Sequence, residues 1–303
     1  MFTKNNLLPT LALLGAMIIW ASSFIAMKIA VSGFSPIAVV FGRMIIASVL
    51  FLVLWKNFRH LNVERKDWKQ LLFMALCEPC LYFIFEAYAL KYTSATQAGM
   101  IVATLPVFVA IAAFFVLKER LALRVWAGFF IAGLGVVLLS WGATSTENAP
   151  NPLLGNTLEV LAMVSATGYM ITAKNLSNRY SPLFITALQA WVGAIFFLPL
   201  LAFTPGAFPE VFPMDATIAV LYLASAVTMG AYGLYNYGLS KVSAGQSSAF
   251  ANLIPVFTML MGFLFLGDRL TPLQYIASGL VLGGVIITQI TPSSKSKAQK
   301  TLS

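Results

Sequence analysis

Long apolar segments, separated by short polar connections, occupy almost the whole chain of 303 residues. Most of them approach the ~20 residues that a helix needs to cross the hydrocarbon core of a bilayer. The pattern predicts ten helices, at residues 8–30, 36–55, 70–91, 94–117, 122–141, 154–175, 182–203, 215–240, 243–266 and 271–290. The expected fold class is therefore an all-α integral membrane protein with ten transmembrane helices.

The second half of the chain repeats the first. Residues 90–121 align without a gap to residues 239–270, and eleven of the 32 aligned positions are identical. Two of the identical pairs are Gln97 with Gln246 and Pro106 with Pro255. Because each repeat holds five helices, an odd number, we expect two inverted five-helix repeats that lie upside down relative to one another in the bilayer.

Earlier in each repeat the offset falls from 149 to 146, so that Lys28 matches Lys174 and Ser35-Pro36 matches Ser181-Pro182. A three-residue difference in the loop between the second and third helices accounts for this change. The expected domains are a first repeat at 1–145, a second, inverted repeat at 150–291, and a basic cytoplasmic tail at 292–303.

The composition excludes a soluble domain, because 59% of the residues are hydrophobic and only 10% are charged. The formal charge of +9 is concentrated in particular loops, and fifteen of the nineteen Lys and Arg residues fall on one predicted side. Basic loops stay cytoplasmic, so this bias predicts a multi-pass protein of the cell inner (plasma) membrane with both termini in the cytoplasm. The lipid bilayer accounts for the basic residues, and we expect no nucleic-acid partner.

Several short motifs, taken together and in order, resemble the EamA family of the drug/metabolite transporter superfamily. They are Trp20-Ala21-Ser22-Ser23-Phe24, Arg43, Ala89-Leu90 with Ala95 and Gln97, Pro106, Glu119-Arg120-Leu121, and the counterparts of the last motifs in the second repeat. The resemblance covers residues 8–290. It implies a secondary transporter whose central cavity is lined by the first four helices of each repeat. Members of the family move amino acids, other small metabolites, sugars or toxic compounds, mostly outward.

Two carboxyls in the third helix are the main candidates for transport chemistry. Glu78, Tyr82 and Glu86 are spaced four residues apart and share one helix face. A charge near the bilayer centre carries an apparent insertion cost of about 2.5–3.5 kcal/mol, so that face should line an interior site that binds protons or a cation. Arg43 is the arginine that lies well inside a predicted span. It can bind a substrate carboxylate, or it can pair permanently with Glu86 and only join two helices.

Aromatic and amide residues can complete the wall of such a cavity. Tyr232, Tyr235 and Asn236 share one face of the eighth helix, and together with Trp20 and Phe24 they suit an apolar side chain or an ammonium group. Ordinary helix packing is the alternative for each of them. The remaining candidates for hydrogen bonding in the cavity are Ser23, Asn252, Gln97 and Gln246.

Three prolines lie inside predicted helices, where each removes a backbone donor and bends the helix. Pro79, Pro106 and Pro255 are candidate hinges, and the last two occupy equivalent positions in the two repeats. Permanent kinks that serve only packing are the alternative. Glycines crowd the fifth and tenth helices, where they allow close helix contact within one subunit or across a homodimer.

The sequence offers no metal or cofactor site. Cys77 and Cys80 lack a second pair of ligands, and His60 lies in a basic loop without a nucleophile nearby. We interpret Glu159, Lys28 and Lys174 as helix-end charges that reach the headgroups, and a functional role is the alternative for each of them.

We therefore predict a secondary transporter, not an enzyme, that exports small metabolites such as amino acids by alternating access, with protons as candidate coupling ions through Glu78 or Glu86. A multidrug or organic-cation exporter is the nearest alternative. An integral membrane enzyme, a receptor and a scaffold are alternatives from other classes. The protein is expected to be a monomer or a homodimer.

Overall fold

The computed structural model describes residues 7–54, 56, 63–117, 123–207, 211–242 and 250–289. Several predicted features lie outside the described residues. They are Gln246, His60, the Glu119-Arg120-Leu121 turn and the tail at 292–303.

The described residues form ten helices joined by short connections, and the prediction of an all-α fold with ten helices is confirmed. The helices are α1 (Leu7–Gly33), α2 (Pro36–Val53), α3 (Arg65–Tyr92), α4 (Ala95–Val102 and Leu105–Leu117), α5 (Leu123–Trp141), α6 (Pro152–Leu176), α7 (Pro182–Ala202), α8 (Met214–Lys241), α9 (Leu253–Leu266) and α10 (Pro272–Gln289). Seven of these described helices are long and apolar enough to cross a membrane. The described part of the chain contains no strand beyond an isolated bridge between Thr146 and Ala149.

The same capping arrangement opens the second helix of each repeat. The Ser35 hydroxyl accepts the backbone N–H of Ala38 at the start of α2, and the Ser181 hydroxyl accepts that of Phe184 at the start of α7. A proline follows each serine at the first helical position, where the missing N–H leaves no bond unmade. The repeated Ser-Pro pair in the sequence is therefore a repeated helix start.

Lys28 closes the end of the third helix instead of reaching toward headgroups, so the interpretation of this residue as a snorkelling side chain is wrong. Its Nζ donates to the backbone carbonyls of Leu90 at 2.6 Å and Thr93 at 2.7 Å, and also to that of Asn148. The last carbonyls of a helix lack partners within it and carry partial negative charge, so a lysine stabilises them.

Lys174 makes the equivalent contacts in the second repeat. Its Nζ donates to the carbonyls of Leu239 at 2.9 Å and Val242 at 2.6 Å, at the end of α8. These two carbonyls are the repeat counterparts of those that Lys28 binds. The two repeats therefore share hydrogen bonds as well as helix order.

The two repeats pack against each other through equivalent elements. Helix α2 packs on α7, α4 on α9 and α5 on α10, whereas α1 lies against α8 and α3 against α6. Equivalent helices thus pack on each other, and the first helix of each repeat packs on the third helix of the other. A two-fold relation between the repeats produces this pattern.

Helices α5 and α10 run antiparallel. Gly128 lies against Gly284, and Gly135 lies against Ala277 and Val281. Ala277 is the repeat counterpart of Gly128, and Gly284 is that of Gly135. The contact of Gly128 with Gly284 therefore recurs, with the two helices exchanged, as the contact of Gly135 with Ala277. The inverted arrangement stays a prediction, and the antiparallel packing of equivalent helices supports it. These glycines serve contact within one subunit.

A methyl group at Gly135 should separate α5 from α10. A Cβ there would lie 2.7 Å from the Val281 nitrogen and 2.8 Å from the Ala277 oxygen, both of them backbone atoms. We expect Gly135→Ala to lower the free energy of unfolding by about 1–3 kcal/mol, as overpacking does. Thermal unfolding in detergent measures the effect.

The matched control is Gly133→Ala on the same helix, where a Cβ meets nothing within 4 Å. This variant gains up to about 1 kcal/mol from helix propensity and should not be destabilised. Equal unfolding midpoints for the two variants would contradict the proposed contact.

Candidate functional site

Helix α3 is interrupted near its middle, beside the first of the predicted carboxyls. The segment Leu76–Leu81 is π-helical, and Glu78 within it has non-helical angles of φ −150° and ψ 116°. Pro79 follows and offers no backbone N–H, so the helix cannot continue regularly through this point. The side-chain amide of Gln189 on α7 donates to the Glu78 carbonyl at 2.9 Å and satisfies the acceptor that the break exposes. Helix α8 carries a π-helical segment at the equivalent place, Leu223–Ala231.

A buried cavity of about 50 Å³ lies beside this break, between the two repeats. Its volume leaves room for a few water molecules. Nine predicted site residues line it, namely Trp20, Ser23, Phe24, Arg43, Glu78, Tyr82, Glu86, Tyr232 and Tyr235. Helices α1, α2, α3, α4, α6, α8 and the start of α9 supply lining residues, and α5 and α10 supply none.

Arg43 and Glu86 form the charged centre of the cavity wall. The Arg43 Nη1 lies 3.7 Å from the Glu86 Oε2, so the pairing considered from sequence is present. Arg43 also donates from Nε to the Thr228 hydroxyl at 2.6 Å, and its guanidinium stacks 3.9 Å above the Phe83 ring. Tyr82 donates to the other Glu86 oxygen at 2.9 Å. The ion pair is loose, which leaves Arg43 with donors that a ligand can use.

Aromatic rings surround the second carboxyl. The Tyr232 hydroxyl donates to the Glu78 carboxyl. Trp20 packs against Tyr232 with centroids 5.0 Å apart and against Tyr235 at 4.6 Å. Tyr169 approaches Tyr232 from α6 at 6.3 Å. A carboxylate beside a cluster of inclined aromatic rings is an arrangement that suits ammonium groups.

Two polar atoms of the lining residues have no hydrogen-bond partner among the described residues. They are the indole Nε1 of Trp20, a donor, and the Oε2 of Glu86, an acceptor. Buried polar atoms are normally bonded, and those left without a partner need an explanation such as a ligand. The cavity thus offers a small molecule the indole donor of Trp20 and a Glu86 oxygen whose contact with Arg43, at 3.7 Å, is longer than a hydrogen bond.

Asn236 lies behind the cavity wall. It accepts a hydrogen bond from the Tyr169 hydroxyl at 2.8 Å and donates to the Thr186 hydroxyl at 2.9 Å, so it holds the wall in position. Asn252 lies in the turn that precedes α9, next to the lining residue Ala251.

Gln97 is a correction to the predicted set, because it does not line the cavity. It lies in the first turn of α4, five residues before the lining residue Val102, and accepts a hydrogen bond from the Asn156 amide at 3.0 Å. Asn156 is also bonded to Thr93 and Ser140. Gln97 therefore belongs to a polar network that joins α4, α5 and α6.

The sequence interpretation missed two residues that complete the site. Tyr169 lines the cavity from α6, and Gln189 bonds the broken part of α3. A signal for Gln189 existed, because the repeat offset of 146 makes it the counterpart of Arg43. Arg43 bonds Thr228 on α8, and Gln189 bonds Glu78 on α3, so each contacts the third helix of the opposite repeat. Tyr169 had no such signal, since its counterpart is Ser23.

The helices also break where the matched prolines lie. Helix α4 stops at Val102 and restarts at Leu105, so that Pro106 is the second residue of its second part. Helix α9 starts at Leu253 after a turn, with Pro255 in its first turn. A proline fits the first turn of a helix because its N–H would be unpaired there. Among the described residues α4 is broken near Pro106 and α9 begins near Pro255, and bending at these places stays a prediction.

The model of the EamA-like transporter family matches the chain twice, at residues 7–141 and 153–290. The chain belongs to the EamA-like transporter family. The resemblance inferred from the short motifs is thereby confirmed, and with the apolar helices it makes the protein an integral membrane protein.

Relatives of this EamA-like protein have similar length and carry transporter names. The uncharacterized transporter YetK of Bacillus subtilis (strain 168) is 31% identical over 295 residues, which cover 95% of this chain and 88% of YetK. A probable terminal-alkyne amino-acid exporter of Streptantibioticus cattleyicolor is 26% identical over 280 residues, 91% of each chain. A crystal structure with 19% sequence identity superposes with a TM-score of 0.64 over 97% of this chain and 99% of the other, and it shows the same fold.

Removing the amide of Gln189 should destabilise the EamA-like protein. Gln189→Leu leaves the Glu78 carbonyl without its donor inside the membrane, and an unpaired buried acceptor costs about 1–3 kcal/mol. We expect a lower thermal unfolding midpoint in detergent. Gln70→Leu is the control, since Gln70 is exposed and bonded only to Asn175 on the surface. If both variants unfold like the wild type, the amide does not support the break.

Proposed function

We propose that this protein is a secondary transporter that exports small amphipathic metabolites, most suitably amino acids with apolar side chains, by alternating access. The observation that carries the proposal is a cavity between the two repeats that presents a cation, two carboxyls and a cluster of aromatic rings. Each part of an amino acid has a partner there. The substrate carboxylate would bind Arg43, its ammonium group would bind Glu78, and its side chain would lie among the rings.

The energetics of the membrane favour a ligand-binding role for these groups. Each charge near the centre of a bilayer costs about 2.5–3.5 kcal/mol on insertion scales, and cavity residues of this kind usually mark substrate pathways. The counterparts of Glu78 and Glu86 in the other repeat are Val227 and Tyr235. The second repeat therefore folds without acids at these positions, which supports a role for Glu78 and Glu86 in binding and in coupling to protons.

The outward direction rests on the relative that is named an amino-acid exporter. The location in the inner membrane and the cytoplasmic termini rest on the distribution of Lys and Arg among the loops. Alternating access would come from movement of the two repeats against each other, with the breaks at Pro79, Pro106 and Pro255 as flexible points. The contact of α5 with α10 uses several of their glycines inside one subunit, so a monomer is sufficient for the mechanism.

Export of organic cations is the second candidate. A cluster of aromatic rings with carboxyls suits a quaternary or primary ammonium group. The buried guanidinium of Arg43 argues against it, because a cationic drug would enter a cavity that already holds a positive charge. An amphipathic molecule with both charges uses all of the groups.

A screen of amino acids and organic cations tests the proposal. The purified protein is examined for thermal stabilisation by each compound, and every hit is followed by exchange of the radiolabelled compound across liposomes. We expect amino acids to stabilise the protein and to exchange. Glu78→Gln and Arg43→Gln should each slow exchange by about 10- to 100-fold, because a hydrogen bond to a charged group contributes about 1.5–3 kcal/mol.

Glu147→Gln is the matched control, since this acid is exposed in the loop before α6 and should leave exchange unchanged. The Arg43→Gln variant places there the residue that stands at its counterpart, Gln189, so the fold should accept it. Exchange of organic cations that persists in Arg43→Gln, without exchange of any amino acid, would decide for the second candidate.

Labelling from each side of the membrane tests the inverted arrangement. Native Cys77 and Cys80 are buried, so single cysteines can report on the loops in their presence. We expect Asn148→Cys to react with an impermeant maleimide from the outside and Ser296→Cys only after the cells are opened. Reaction of both from one side would remove the inversion and the alternating-access mechanism with it.

A further inference from the structure

Glu159 is a buried acid that does not line the cavity. It lies in the second turn of α6, is 0% exposed, and no described residue donates a hydrogen bond to either carboxyl oxygen. The interpretation of Glu159 as a side chain that reaches the headgroups is therefore wrong, because the packing of α6 turns it inward.

The packing of α6 on α3 brings this acid next to the charged centre of the cavity. The helices are antiparallel, with Gly155 against Ala89 and Thr93, and Gly168 against Cys77. Glu159 is one helical turn from Gly155, and the matching turn of α3 carries Glu86. Glu159 therefore lies where α6 packs against the part of α3 that carries Glu86.

Two ionised carboxyls on packed helix faces of a dry interior disfavour each other. An ionised carboxylate without a donor is very costly in a low-dielectric medium, and such a group normally takes up a proton. Glu86 has Tyr82 as a donor and Arg43 as a counter-ion, whereas Glu159 has neither. The single negative charge of the pair therefore belongs to Glu86, and the proton belongs to Glu159.

No other neighbour supplies a counter-ion to Glu159 among the described residues. The described part of α4 contains no titratable side chain, and Arg124 of α5 lies at the opposite end of its helix. Helix α8 presents the hydroxyls of Tyr232 and Tyr235 to the cavity, and α3 adds Glu78 two turns from Glu86.

The fold does not require an acid at this place. The repeat counterpart of Glu159 is Leu13, which is fully buried and packs on Gly238 of α8. The counterpart of Gly238 is Ala89, beside Glu159. The two positions are thus the same packing site, filled by an alkyl side chain in one repeat and a carboxyl in the other.

We propose that Glu159 is a proton-binding site of this transporter, which holds a proton while the cavity is closed and releases it to water when the cavity opens. The release leaves an ionised Glu159 that water then solvates, and Glu86 keeps its pairing with Arg43. The coupling role rests on the proposed transport function, whereas the bound proton can be measured without any substrate.

Infrared spectroscopy of the protein in liposomes at neutral pH tests the bound proton. We expect the wild type to show the carbonyl band of a protonated carboxylic acid that shifts in heavy water and is missing in Glu159→Gln. Glu147→Gln, an exposed acid, should keep the band. Identical spectra of the wild type and Glu159→Gln in this region would overturn the proposal.

Glu159→Leu distinguishes the loss of a proton site from misfolding, because it introduces leucine, the residue that stands at the repeat counterpart, Leu13. A neutral acid without hydrogen bonds adds little to stability, so this variant should unfold at the wild-type temperature or above it. A clear fall of the unfolding midpoint would instead mean that the carboxyl supports the fold and would count against a proton site.

Transport separates this inference from the proposed function. With a mixture of the radiolabelled protein amino acids, Glu159→Gln should lose uptake driven by a pH gradient into inverted vesicles but keep exchange without a gradient. Gradient-driven uptake equal to that of the wild type would overturn the coupling role of Glu159. Absence of exchange in the wild type would reject the transport proposal, and the infrared band would still decide whether Glu159 holds a proton.

Discussion

The structure depends on one constraint, namely that polar groups in the middle of the membrane find partners inside the protein. The third helix of each repeat departs from regular α-helical geometry at this depth, by a break in α3 and a π-helical segment in α8, and the opposite repeat bonds to each of them. Gln189 bonds the Glu78 carbonyl, and Arg43 bonds the Thr228 hydroxyl. Because Arg43 and Gln189 are repeat counterparts, the two repeats hold each other at the level of the cavity. A movement that separates the repeats must replace these bonds with water or with a ligand.

The residues that pack alike in both repeats are different from the residues that carry an acid in only one repeat. The capping serines, the capping lysines and the interchanged glycine contacts occur in both repeats and define the scaffold. The acids occur once each, since Glu78, Glu86 and Glu159 stand opposite Val227, Tyr235 and Leu13. The shared packing of the two repeats therefore does not depend on these three acids, and this asymmetry supports the proposed roles of the acids in binding and in proton transfer.

The helices and most of the cavity could be predicted from sequence because the relevant signals are local. Apolar length marks each helix, and four-residue spacing places Glu78, Tyr82 and Glu86 on one face. Pairing between helices is not a local property, and the errors follow from this. Glu159 and Lys28 are near helix ends in sequence, but the packing of α6 on α3 and of α1 on α3 turns them inward. Tyr169 reaches the cavity for the same reason, and no periodicity in α6 distinguishes it.

Different interactions join the two repeats at the starts of α3 and α8, although Tyr180 and Phe34, which take part in them, are repeat counterparts. At the start of α3, Asp67 binds Arg179 at 2.5 Å and Tyr180 at 2.7 Å, and it is almost fully buried. At the start of α8, Phe34, the counterpart of Tyr180, packs on Phe212 with centroids 5.6 Å apart. An ion pair with a tyrosine bond needs defined geometry and weakens when water enters, whereas an apolar contact is non-directional. A cavity of about 50 Å³ has room for only a few water molecules, so the repeats have to move apart to admit a metabolite. Separation at the start of α3 hydrates the buried Asp67 charge, whereas separation at the start of α8 breaks a contact between two rings, so salt weakens the first contact more than the second.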